Sequence, residues 1–125
     1  MPGENKILAK TYEANADLSD YQYRYVKLLS TGKVDICGNG EVPIGILQND
    51  PESGEQATVM LIGISKLVAH AAISINDKLG SQASGRAVAV TADTNTYNAI
   101  ALEAATAQDD IISALLTNGV QYIAG

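Results

Sequence analysis

An internal repetition limits what this chain can fold into more than any other feature. The stretch GKVDICGNGEVPIGILQNDPESGEQATVMLI, Gly32 to Ile62, returns as an imperfect second copy that begins at Ser84. At an offset of 54, Val34, Ile36, Gly45, Ile46, Glu55 and Leu61 meet Val88, Val90, Ala99, Ile100, Asp109 and Leu115. The turn before each copy also corresponds, Thr31-Gly32-Lys33 to Ser84-Gly85-Arg86, once Ala87 is taken as an insertion. The chain therefore reads as an N-terminal arm over residues 1–19 and a single β domain over 20–125, with related halves at about 20–64 and 72–118.

The core of such a domain has to be aliphatic. The 125 residues include no Trp and no Phe, and the six Tyr carry hydroxyls that need water or a partner. A chain of this length buries roughly two thirds of its unfolded surface, enough to fold without staples. The net charge is −6, and after Arg86 no Lys or Arg occurs. This balance argues against direct nucleic-acid binding, which needs clustered cations to displace counterions from phosphate. Cys37 stands alone, so no disulfide forms within the chain. MPGENKILAK has no apolar run of the secretory kind, and no stretch reaches the roughly 20 apolar residues of a membrane-spanning helix. The expectation is synthesis in a cytoplasm, with no membrane partner.

Residues 1–20 carry weak periodicity around the patch Ile7-Leu8-Ala9, which fits either a polar arm that orders on a partner or an edge strand of the domain. Tyr21, Tyr23 and Tyr25 alternate with Gln22, Arg24 and Val26, the period of a strand, which places the three rings on one face. That strip is either ordinary strand chemistry or a partner-binding surface. Strands follow over Lys33–Cys37, Val42–Leu47 and Ala57–Ile62, separated by Gly38-Asn39-Gly40 and by the loop Asn49–Glu55. KLVAHAAISI, residues 66–75, is ambiguous between helix and strand. Lys78-Leu79 stands where Tyr25-Val26 stood, and AVAVT from Ala87 repeats the KVDIC strand.

ALEAATAQDDIISALL, residues 101–116, is rich in helix formers. Its counterpart in the first half contains Asp50-Pro51 and Ser53-Gly54, which a helix cannot run through. The repeat therefore predicts a strand over residues 98–102, a loop over 103–109 and a strand over 111–116. Asn118-Gly119 is read as a turn into a last apolar piece, Val120 to Ala124. Many short strands without long amphipathic helices give an all-β small barrel or sandwich.

The residues offer little chemistry. Ser30-Thr31-Gly32-Lys33 lacks both the earlier glycine and the following hydroxyl of a phosphate-binding loop, because Lys27 and Val34 occupy those places. His70 is the sole histidine, and with Cys37 it makes at most two metal ligands of no recognisable spacing. A Cys37/His70 nucleophilic pair is formally possible, but nothing beside Cys37 would stabilise a thiolate. Asp50/Glu52/Glu55 and Asp109/Asp110 lack the spacing of a calcium loop and read as solvated acidic loops. No catalytic residue, cofactor or metal site is expected.

The succession Tyr25-Val26-Lys27, a Gly turn, Pro43-Ile44-Gly45-Ile46, Thr58-Val59-Met60-Leu61-Ile62-Gly63 and Asn76-Asp77-Lys78-Leu79 resembles the phage capsid-cement, or head-decoration, proteins. The resemblance continues through Ser84-Gly85-Arg86-Ala87-Val88-Ala89-Val90, Ala99–Ala105 and Ile111–Leu116, and covers about Asp20 to Leu116. Asn76-Asp77 and Asp109-Asp110 stand where such proteins usually carry Gly-Asp, and the arm is not covered.

The resemblance implies a structural virion protein on the outside of an icosahedral phage head. There it bridges major capsid subunits and self-associates, with a trimer at three-fold positions as the expected order. The alternative is a head appendage or other β binding module for a carbohydrate or host surface. Apolar and aromatic residues outside the repeated core are the candidate contacts: Ile7, Leu8, Tyr12, Tyr21, Tyr23, Tyr25, Tyr122 and Ile123.

Overall fold

The computed structural model describes the backbone of residues 5–91 and 96–122 and the side chains of residues 8–91 and 97–116. The protein is all-β. Nine strands form one curled antiparallel sheet: β1 Asn5–Glu13, β2 Tyr25–Leu28, β3 Val34–Ile36, β4 Gly45–Leu47, β5 Gln56–Val68, β6 Lys78–Ser81, β7 Ala87–Ala89, β8 Thr96–Ala101 and β9 Ile111–Tyr122. One 3-10 turn, Ala83–Gly85, joins β6 to β7.

β5 holds the sheet together. Met60 pairs with Ala9 of β1 and with Ile46 of β4, while Gly63 pairs with Lys6 of β1 and with Leu116 of β9. A strand has only two edges, so β1 runs along one of them while β4 and then β9 divide the other. The strands then fall into two units of equal connectivity, β1-β5-β4-β2-β3 and β5-β9-β8-β6-β7. Each unit curls until its last strand meets the residue just beyond its first, through the parallel bridges Ala14 to Val34 and Ala69 to Ala87.

The correspondence extends to single backbone bonds. Ala14 N donates to Glu55 O as Ala69 N does to Asp110 O, and Asn15 N to Val34 O as His70 N does to Ala87 O. Likewise Tyr23 N donates to Leu47 O as Asn76 N does to Ala101 O, and Leu29 N to Lys33 O as Gln82 N does to Arg86 O. Left-handed residues recur in register: Tyr23 (φ 64) with Asn76 (φ 76), Gly32 (φ 86) with Gly85 (φ 70), and Gly54 (φ 83) with Asp109 (φ 71). The structural offset is 53 for β2/β6 and β3/β7, 54 for β4/β8, and 55 for β5/β9. Ala87 is therefore the partner of Val34 and not an insertion, and Glu55 corresponds to Asp110.

The interior is duplicated too. One core holds Ala14, Leu18, Val26, Val34, Leu47, Ala57 and Val59. Their counterparts Ala69, Ile73, Leu79, Ala87, Ala101, Ile112 and Ala114 are all buried in the other. That second core also takes in Tyr25, Cys37, Ile46 and Met60, which lie on the opposite face of the first unit and seal it onto the second. Tyr25 is fully buried, and its hydroxyl donates to Leu79 O at 3.3 Å. Gly45 lets β4 and β5 approach, since a Cβ there would run into Met60 O and Val59 Cγ1.

Several sequence expectations change. Of the two readings of residues 1–20, the edge strand is the one the fold takes: β1 pairs with β5 from Asn5 to Glu13, and Ala14 and Leu18 are core residues. The tyrosine strand is not formed. β2 begins at Tyr25, and Tyr23 sits in a turn with positive φ, so the three rings do not share a face. The strand expected to stop at Ile62 runs on to Val68, which resolves the start of KLVAHAAISI as strand. Asn118-Gly119 is no turn, because β9 continues through it to Tyr122. Residues 101–116 contain no helix, as the repeat requires.

Tyr25→Phe leaves the Leu79 carbonyl without this donor and should cost about 1 kcal/mol, whereas Tyr25→Ala opens a cavity at the seal and should cost about 3–5 kcal/mol. Urea unfolding separates the two outcomes. Gly45→Ala should cost about 1–3 kcal/mol by overpacking β4 against β5; an unchanged urea midpoint would refute that contact.

Candidate functional site

Among the described side chains, those of β1 are largely open to solvent. Leu8, Ala9, Lys10, Thr11 and Glu13 are exposed, and among the described side chains of the strand only Tyr12 turns partly inward, packing against the first core with Lys10 Nζ 5.2 Å from its ring centre. Register shifts on either side of Leu8 bend the strand and leave that side chain 47% exposed.

The other candidates separate. Tyr21 and Tyr23 are half-buried on the turn before β2. Arg24 lies 5.3 Å from the Tyr21 ring centre, and Lys66 lies 5.2 Å from that of Tyr23. Tyr25 points into the core. The side chains of Ile7 and Tyr122 lie outside the described residues, as does Ile123 altogether.

Sequence reasoning missed an ionic cluster where the turn of the first unit meets the second. Arg86 Nε donates to Asp109 Oδ1 at 2.7 Å, Arg24 Nη2 lies 3.9 Å from the same oxygen, and Arg24 Nη1 donates to Ser84 O at 3.3 Å. The hydrogen bond from Arg86 holds the Asp109 carboxyl below the usual carboxylate range, with both guanidinium charges adding to it. Burial, followed by the charge of Arg86, lowers the Arg24 pKa. No sequence pattern joins Arg24, Arg86 and Asp109; only the packing of one unit on the other does.

Several other carboxylates serve structure, while Arg24 Nε, Gln48 Oε1, His70 Nδ1 and Asn98 Oδ1 are buried without a hydrogen-bond partner. Glu55 accepts from Glu52 N at 2.7 Å, and its counterpart Asp110 accepts from Thr106 N at 2.9 Å and Ala107 N at 3.2 Å. Each carboxylate closes its own loop, and these amide bonds, Thr106 first, lower the Asp110 pKa. Glu41 bridges Lys27 Nζ at 2.8 Å and Gly38 N at 2.6 Å. Cys37 is fully buried and burial raises its pKa, so its thiol meets no solvent substrate. Among the described residues no three His, Cys, Asp or Glu come together as a metal site. The surface carries open grooves, one along Lys10 to Glu13, Gly32 and Gly54, another along Asn76 to Lys78, Val90 and Ile100.

No curated protein sequence matches the chain. Among solved structures, the crystal structure of the N base of the head fiber protein gp8.5 of bacteriophage phi29 is similar in fold. Its TM-score is 0.69 at 16% identity, covering 91% of this chain and 97% of that one. The family model described as phage cement protein matches residues 7–116, from β1 into β9 and so through both units. The chain thus belongs to the phage cement protein family and is a structural protein of the phage virion.

Proposed function

We propose that the protein decorates the outer surface of an icosahedral phage head, bridges neighbouring major capsid subunits and holds the shell against the pressure of packaged DNA. The observation that carries this reading is the family match over residues 7–116. A cement protein needs no catalytic group. It needs a stiff body that touches at least two shell subunits, so that each modest contact raises the effective concentration for the next. One sheet latched at Ala14 and at Ala69 supplies such a body.

Self-association multiplies the contacts, and a trimer at three-fold positions is the order we assign. The contact surface we assign centres on β1, with Ile7, Leu8 and Tyr12, on the half-buried Tyr21 and Tyr23, and on Tyr122 and Ile123 at the other end of the chain. Tyr25 supports this surface from within. The protein is made in the host cytoplasm and joins the head exterior.

Purified protein should co-sediment with empty, expanded heads that lack it, at a copy number proportional to capsid subunits, in low and moderate salt. Absence of binding under both conditions would overturn the proposal. Removing the first 17 residues is no clean probe of contact, because Ala14 is buried and β1 covers one edge of β5. Leu8→Asp is the better probe. It should weaken head binding by about tenfold or more with an unchanged melting temperature; wild-type affinity would take β1 out of the contact surface.

A further inference from the structure

Inside the chain, the first unit docks on the second through a turn and the face behind it. The turn Tyr21–Arg24 is half-buried throughout. Tyr23 O accepts from Val68 N at 2.9 Å, Lys66 lies over the Tyr23 ring, and Arg24 reaches Ser84 O and Asp109. Gly85 is buried beneath it, so that a Cβ there would meet Tyr25 O and Arg24 Cβ. Behind the turn, Tyr25, Cys37, Ile46 and Met60 are fully buried.

The second unit carries the same turn and the same face, and both are more open. Ser74–Asp77 repeats the turn, with Asp77 N donating to Ser74 O as Arg24 N does to Tyr21 O. Its Ile75, the counterpart of Gln22, is 66% exposed, the highest value among the exposed large apolar side chains described. Behind it the counterparts Lys78 and Leu115 are exposed, and Val90 and Ile100 are only half-buried.

The receiving side is bare in the first unit. Gly32 corresponds to Gly85, yet a Cβ there would meet nothing within 4 Å. The groove beside it is lined by Thr11, Glu13, Gly32 and Gly54, the counterparts of Lys66, Val68, Gly85 and Asp109, which hold the first turn. One unit of the pair thus has a more open donor surface and the other a bare acceptor.

Building on the reading of this chain as a self-associating head protein, we propose that the second unit of one copy docks into this groove on the first unit of the next, repeating between copies the packing found within each. Ile75, Val90, Ile100 and Leu115 are covered, and Asn76 O accepts from Glu13 N of the next copy as Tyr23 O does from Val68 N. Arg24 meets Asp109 within the chain; in the repeated packing Asp77 comes to Lys33, the counterpart of Arg86, and Lys33 Nζ lies 3.1 Å from Glu13 within its own chain, so that Asp77 and Glu13 share one cation. A donor surface on one copy facing a different acceptor on the next is a head-to-tail contact, which yields a ring when it closes.

Sedimentation velocity on the wild-type chain should show an oligomer, and Ile75→Asp should weaken association at least tenfold without changing the melting temperature. Independently, Asp77→Cys and Lys33→Cys variants should form a disulfide with each other when mixed and oxidised, and neither should do so alone. A wild-type monomer up to its solubility limit, an undiminished oligomer in Ile75→Asp, or an Asp77→Cys variant that links only to itself would each overturn the proposal. A wild-type monomer that still binds heads would end this inference and leave the cement function standing. An oligomer with the expected cross-link but no head binding would do the reverse.

Discussion

The structure depends on β5 belonging to two units at once. It closes the first unit against β4 and opens the second against β9, and the handover falls at Gly63, which pairs with strands on both of its edges and takes a φ of 127°. Glycine fits there because a side chain would have to project from a backbone bent out of the ordinary strand region. Because the shared strand is continuous over 13 residues, neither unit can swing on a linker. The hydrogen-bonded ladder itself is the joint. The buried Tyr25, Cys37, Ile46 and Met60 add an apolar seal on the other face, so relative motion of the units would expose core.

What the two units share is backbone, and what separates them is side chains. The positive-φ residues, the latch bonds and the loop-closing carboxylates Glu55 and Asp110 recur, since each satisfies a backbone demand that any sequence on this path must meet. The cores differ in volume: Val34, Leu47 and Val59 give way to Ala87, Ala101 and Ala114, while Ala57 grows to Ile112. A smaller second core leaves room for Tyr25 to enter from the first unit and reach Leu79 O. The asymmetry of the cores and the seal between units are one packing solution.

The parts of this fold legible in the sequence were those fixed by glycine, proline and the repeat. Gly32 and Gly85 marked equivalent turns, and Asp50-Pro51 in the first half was enough to overrule the helix propensity of residues 101–116 in the second. β1 escaped the repeat because residues 5–14 share only Ile7/Ile62 and Ala14/Ala69 with their counterpart, residues 60–69; the pairing is made by backbone groups, which leave no side-chain signature. The tyrosine strip misled for a related reason. Period two at Tyr21, Tyr23 and Tyr25 is the mark of a strand, but Tyr23 N donates to Leu47 O, and the turn that permits this places Tyr23 at a φ of 64°. The offset drifts from 53 to 55 through one-residue differences between strands, so a constant shift of 54 aligned β3 and β5 one residue away from their true partners. The ionic cluster could not be read at all, since Arg24, Arg86 and Asp109 come together only through the docking of one unit on the other.

Several exposed carboxylates of this protein are used to fix its own loops. Glu41, Glu55 and Asp110 each close a loop by accepting backbone amides, and Asp109 ties together two guanidinium groups drawn from different units. Exposed carboxylates used in this way are worth little singly. Their effect is to remove alternative loop conformations. The large apolar side chains left exposed on the described surface are Leu8, Leu28, Val42, Ile75, Leu102, Ile111 and Leu115, and such surface is relieved where it is covered by docking.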